Sequence, residues 1–104
     1  MNISIEYMYR DGANYKQYSI LVFPNKTDLS IEWIKKQSNL SLLDGEYFIP
    51  SQCGIPILYK FEYDYEIDEE FHEVLEIRYT VESPNFEKDI FDVLQEINST
   101  LNYR

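Results

Sequence analysis

Cysteine is almost missing from this chain. Cys53 stands alone, so no internal disulfide can form and a reducing compartment is the simplest expectation. Histidine is equally scarce, with His72 the single copy. Three glycines and four prolines leave few breaks, which favours mostly regular structure. No glycine-rich phosphate loop, HExxH or CxxC motif occurs, so catalysis has little to stand on. No apolar run approaches the ~20 residues that a membrane helix needs. The opening Met-Asn-Ile-Ser-Ile-Glu lacks the basic start and apolar core of a signal peptide. The expected location is therefore cytoplasmic, and the Asn-x-Ser/Thr triplets at Asn2, Asn25, Asn39 and Asn98 carry no weight as glycosylation sites. Basic residues are scarce as well: nine Lys and Arg stand against nineteen Asp and Glu, a net charge of −10. They are scattered, with only Lys35 and Lys36 adjacent. That argues against direct nucleic-acid binding, which needs a basic face for the phosphates.

What is present is aromatic and acidic. Hydrophobic residues make up 44% of the chain and aromatics 16%, too much for a disordered acidic tail. The 104 residues fit one domain, 1–104, with one core. Eight carboxylates and no base lie between Glu62 and Glu76, in EYDYEIDEEFHEVLE. Such a segment repels itself unless solvent, a cation or a basic partner faces it.

Periodicity sets out the elements. Ile3, Ile5, Tyr7 and Tyr9 alternate with polar or mixed neighbours, as a half-buried strand does. Asp11-Gly12-Ala13-Asn14 signals a turn. Tyr18, Ile20 and Val22 then resume the alternation, with Leu21 and Phe23 on the opposite face, which makes a β-hairpin. A helix is expected over about 30–38, capped by Ser30, with Glu32 near its positive end and Lys35 and Lys36 near the other. Leu29 with Trp33, and Ile31 with Ile34, would pack on the sheet, so Trp33 is expected in the core. The apolar segment 44–60 shows no clean period, and Pro50, Gly54 and Pro56 interrupt it. It is expected to be pinned against the core. Parity from Glu73 to Val81 indicates a strand over about 74–81. In it Leu75, Ile77 and Tyr79 share one face and His72, Val74 and Glu76 the other, which leaves His72 exposed among carboxylates. Ser83-Pro84 suggests the cap and first position of a last helix. Phe86, Ile90, Val93, Leu94, Ile97 and Leu101 form its buried stripe, with Glu87, Asp89, Asp92 and Glu96 on its solvent side. The expected fold is α+β: a small antiparallel sheet, made of the N-terminal hairpin plus the strand near 74–81, with two helices packed on one face.

Four segments in this order, YRDGANYK at 9–16, DGEYFIP at 44–50, GIP at 54–56 and DEEFHE at 68–73, resemble a group of small acidic bacterial and phage-borne proteins of no assigned function. The likeness spans about residues 5–81. It implies a prokaryotic, intracellular setting and brings no activity, cofactor or catalytic residue with it.

Several constellations have functional readings beside plain ones. If extended, Glu62, Asp64, Glu66 and Asp68 share one face about 6.6 Å apart, while Tyr63, Tyr65 and Ile67 anchor the other. Glu69 and Glu70 continue the charge, and Asp89, Asp92 and Glu96 could add a second row. Together these would present a partner-binding surface, a partial imitation of a phosphate backbone, whose charge spacing is about 3.4 Å per strand. The plain alternative is a solvated face that keeps an aromatic-rich domain soluble. Asp64-x-Glu66-x-Asp68 begins like a calcium loop, but Glu69 stands where glycine is required and Leu75 where a bidentate glutamate is required, so that reading fails. A looser cation site from Asp68, Glu70 and His72, with Glu69 beside them, is the metal alternative. Cys53 reads as a small buried hydrophobe. Tyr9, Arg10, Asp11, Asn14, Tyr15 and Lys16 form a polar-aromatic cluster at the hairpin tip, which turn chemistry explains equally well.

The function expected from these features is that of a non-enzymatic interaction protein needing no cofactor. It would bind and block a basic, nucleic-acid-binding surface of a partner protein. A phage-encoded inhibitor of a host defence nuclease or CRISPR effector, or a toxin-immunity protein, would be such a molecule. The alternative is a small divalent-cation-dependent hydrolase or nucleotide-handling enzyme built on the segment from Asp68 to Glu73. A homo-oligomeric structural subunit is a third reading.

Overall fold

The computed structural model describes residues 1–10, 16–42, 47–48, 50, 54–56, 58 and 72–101, with side chains omitted at 40–41 and 98–101. The elements run β1 (Asn2–Arg10), β2 (Lys16–Phe23), α1 (Ile31–Ser41), β3 (Tyr47–Phe48), β4 (His72–Thr80) and α2 (Ile90–Leu101). The four strands form one antiparallel sheet in the order β2-β1-β4-β3. Both helices lie on one side of it, so the chain is α+β as its pattern indicates.

The hairpin follows from alternation. Ile3 pairs with Phe23 and Ile5 with Leu21, and this odd-numbered face turns to the helices. Tyr18 and Ile20 lie on the opposite face and are exposed. The chain leaves β2 through a turn that Asn25 ties together: its side chain accepts from Leu29 N and donates to Leu29 O. Asp28 closes that turn at φ 51°, a left-handed geometry that aspartate tolerates better than most residues.

Helix α1 starts as expected, with Ser30 Oγ accepting from Trp33 N at 3.2 Å. It runs on to Ser41, so Lys35 and Lys36 sit mid-helix and its last turn holds no basic residue. With that phase the buried side is Ile34 and Ser38. Trp33 is rotated away from the sheet and stands 36% exposed, its ring stacked on Phe91 of α2 at 6.4 Å. The expectation that Trp33 belongs to the core is therefore corrected to a half-open contact between the helices.

Helix α2 starts later than Ser83-Pro84 suggests, because tertiary bonds claim the intervening residues. Asn85 pairs with the outer edge of β2: its N–H donates to Val22 O at 3.0 Å and its Oδ1 accepts from Val22 N at 2.7 Å. Ile90 N then donates to Pro24 O, and Asp89 caps the helix. From there the stripe buries as expected, with Ile90, Val93 and Leu94 in the core and Ile97 against it. Phe86 packs on Phe23 from outside the helix, with ring centroids 5.1 Å apart.

In the connecting segment, Pro50 and Ile55 are buried. Ile55 N donates to Pro50 O, and Tyr7 Oη donates to Pro56 O at 2.8 Å. The described part of this apolar segment is thus held on the core, as its composition implies. Cys53 lies outside the described residues, as do 11–15 of the hairpin tip.

Candidate functional site

Of the residues singled out for partner binding, Glu62, Tyr63, Asp64, Tyr65, Glu66, Asp68, Glu69 and Glu70 lie outside the described residues. The acidic stretch enters view at its end, in β4, where Glu73 is half-buried and Glu76 exposed. Arg78 approaches Glu76 at 4.0 Å, with both side chains more than half exposed. At that separation and exposure the pair adds little, and Glu76 keeps most of its outward potential.

The second acidic row does not form as expected. Asp89 is 8% exposed. Its Oδ1 accepts from Lys26 N at 2.7 Å and its Oδ2 from Phe91 N at 3.0 Å. Its own carbonyl accepts the first helical bond, from Val93 N. A carboxylate in that position satisfies an orphan amide of the first turn and faces the positive end of the helix dipole. Asp89 is therefore a structural cap and not part of a solvent-facing row. Glu96 meets Lys88 in a two-pronged contact at 2.8 and 2.9 Å, each side chain 39% exposed. Glu96 thus has its charge answered within the chain. Asp92 remains exposed on α2, and Glu87 is exposed just before it. Two outward carboxylates are left where four were expected.

His72 requires the largest correction. It is fully buried, and its Nε2 accepts a hydrogen bond from Leu58 N at 3.1 Å. Its ring lies 4.8 Å from that of Tyr9 and 6.1 Å from those of Tyr7 and Phe48. The cause is a β-bulge. β4 pairs Glu76 with Glu6 and Val74 with Tyr7, so two steps on β4 match one on β1 and Leu75 is the extra residue. Parity inverts there. His72 shares the inner face with Ile77, while Leu75 is 41% exposed.

An accepting Nε2 places the ring proton on Nδ1. His72 is thus a core residue whose Nε2 holds a backbone amide, and not the exposed imidazole that strand parity indicates. Asp68 and Glu70, its proposed companions, lie outside the described residues, and among the described residues no cluster of three metal-ligating side chains occurs. Tyr9, assigned to the hairpin-tip cluster, is likewise fully buried, so only Arg10 and Lys16 of that cluster are exposed among the described residues.

Sequence reasoning missed one aromatic group, Tyr7, Tyr9, Phe48 and His72, which closes the core near the start of β4. Nothing in the period-2 pattern marks a bulge at Leu75. No helix among the described residues is long and apolar enough to cross a membrane. Comparison with protein-family models, with curated proteins and with solved structures yields no match.

Proposed function

We propose that this is a non-enzymatic acidic interaction protein that docks on a basic surface of a partner protein in the cytoplasm and blocks it. The observation that carries the reading is the run of eight carboxylates without a base from Glu62 to Glu76 in a chain of net charge −10. Supporting it, two bases among the described residues leave their carboxylate neighbours' run unneutralised: Lys88 holds Glu96, and Arg78 reaches Glu76 only at 4.0 Å. The surface consists of Glu62, Asp64, Glu66, Asp68, Glu69 and Glu70, joined by Glu76, with Tyr63 and Tyr65 as aromatic contacts. Asp92 lies outside this stretch as an outlying charge. A partner that normally grips nucleic acid, such as a defence nuclease, a CRISPR effector or a toxin, offers the matching potential, and the acidic run then acts as a partial phosphate mimic.

Long-range attraction of this kind speeds association and weakens with ionic strength. The test is partner capture from the native host across a salt series up to about 0.5 M, where the screening length falls below about 5 Å. Capture that fades steeply with salt supports the proposal. Capture indifferent to salt means that the acidic run is not the contact.

A further inference from the structure

One hydrogen bond joins the chain on either side of the carboxylates Glu62, Asp64, Glu66, Asp68, Glu69 and Glu70. Leu58 N donates to His72 Nε2 at 3.1 Å, a bond between residues fourteen positions apart. Both of these ends are anchored in their own right. On one side Ile55 is buried, Leu58 packs against the core, and Tyr7 Oη donates to Pro56 O at 2.8 Å. On the other, His72 pairs with Phe48 of β3, and Glu73 after it pairs with Met8 of β1. The bond therefore ties the start of a sheet strand to the segment that leads into the carboxylates.

Packing alone does not call for a nitrogen at this place. His72 is fully buried, its ring 4.8 Å from that of Tyr9 and 6.1 Å from those of Tyr7 and Phe48. A phenylalanine would meet the same three rings without burying polar atoms, which cost stability unless they are hydrogen-bonded. What the imidazole adds is an acceptor for Leu58 N.

Between Leu58 and His72 six carboxylates outnumber one base, Lys60. Like charges repel, and a self-repelling chain extends and spreads its charge. Joined ends limit that spread and remove part of the conformational freedom that docking must otherwise restrict. We infer that His72, with Tyr7 behind it, is a positioning residue for the six carboxylates: its Nε2 holds the two ends together and so concentrates their charge toward a basic partner. The consequence for binding rests on the docking reading above, whereas the tie itself can be read with no partner present.

The test measures amide hydrogen exchange in the ¹⁵N-labelled full chain, and calorimetric affinity for the blocked peptide acetyl-RGRGRGR-amide at low salt. In His72→Phe the Leu58 amide exchanges about fivefold faster or more, relative to the Ile5 and Leu21 amides of the hairpin. Peptide affinity falls about threefold or more, while its dependence on salt keeps the same slope, since no charge has been removed. His72→Gln, which sets an amide oxygen near the place of Nε2, restores both. Tyr7→Phe cuts the neighbouring tie at Pro56, keeps every ring and weakens the peptide in the same direction, so it decides the matter if His72→Phe does not fold. Ser30→Ala lowers stability at the start of α1 and leaves peptide affinity unchanged. The inference is overturned by unchanged Leu58 exchange in His72→Phe, by parental affinity in a folded His72→Phe or in Tyr7→Phe, by a glutamine variant as impaired as the phenylalanine one, or by an equal loss in Ser30→Ala. A parent that ignores the peptide refutes the docking reading and the positioning role with it. A parent that binds while the variants match it refutes the positioning role alone.

Discussion

Replacing Asp89 separates a carboxylate that builds the fold from one that faces a partner. In Asp89→Ala the amides of Lys26 and Phe91 lose their acceptors in a setting only 8% exposed. Loss of an N-cap costs about 0.5–2 kcal/mol, and a hydrogen bond to a charged acceptor contributes about 1.5–3 kcal/mol. The two bonds share one side chain and water re-solvates part of the gap, so a total of about 3 kcal/mol is expected. For a chain of this size that lowers Tm by roughly 12–24 °C, at about 4–8 °C per kcal/mol. Asp89→Asn keeps one accepting oxygen and sets an amide nitrogen against the other donor, so it falls between, at about 1–2 kcal/mol. Asp92→Ala, on the exposed side of the same first turn, stays within about 0.5 kcal/mol of the parent. Urea unfolding followed by far-ultraviolet circular dichroism measures all three. If Asp89→Ala is no more harmful than Asp92→Ala, the capping assignment is wrong and Asp89 returns to the surface row.

Three further substitutions probe other joints of the structure. His72→Phe keeps a ring among Tyr7, Tyr9 and Phe48 but removes the acceptor for Leu58 N, so a loss of about 1–3 kcal/mol is expected in the same unfolding assay; a neutral result would mean that the ring alone holds the segment. Tyr7→Phe deletes the bond to Pro56 O and should cost about 1 kcal/mol, with faster hydrogen exchange at Ile55 as its local sign. Ser30→Ala removes the α1 cap and should cost about 1 kcal/mol, which Ser30→Asp should largely restore.

The elements carried by local chemistry were legible in the sequence. Alternation from Ile3 to Tyr9 and from Tyr18 to Phe23 marks the hairpin, because side chains on a strand have a strict period of two. Ser30 marks the start of α1, because its hydroxyl satisfies an amide only three residues away. The stripe Ile90, Val93, Leu94 and Ile97 marks α2 for the same local reason. What escaped was set by partners distant in sequence. The start of α2 moved from Ser83-Pro84 to Ile90 because Asn85 completes the edge of β2 and Asp89 bonds Lys26, contacts across 63 positions. One extra residue at Leu75 inverted the parity below it and carried His72 into the core, and no spacing rule within β4 encodes that slip. Trp33 was misplaced because the sheet takes the face centred on Ile34 and Ser38, and Trp33, one residue and about 100° around the helix from Ile34, meets Phe91 instead.

The helix row once available to extend the acidic run shrinks, since Asp89 is enclosed and Glu96 is held by Lys88. The phosphate-mimic reading consequently rests on the run from Glu62 to Glu76 alone. If extended, Glu62, Asp64, Glu66 and Asp68 within it carry a charge about every 6.6 Å, roughly half the density of one DNA strand.

A negatively charged contact must vanish when its charge is removed at constant shape. The decisive measurement replaces Glu62, Asp64, Glu66, Asp68, Glu69 and Glu70 together by their amides and compares partner capture by this variant and the parent at low salt, with circular dichroism as the check on folding. The account predicts a folded variant that retains no partner, whereas undiminished capture by a folded, uncharged run would contradict it.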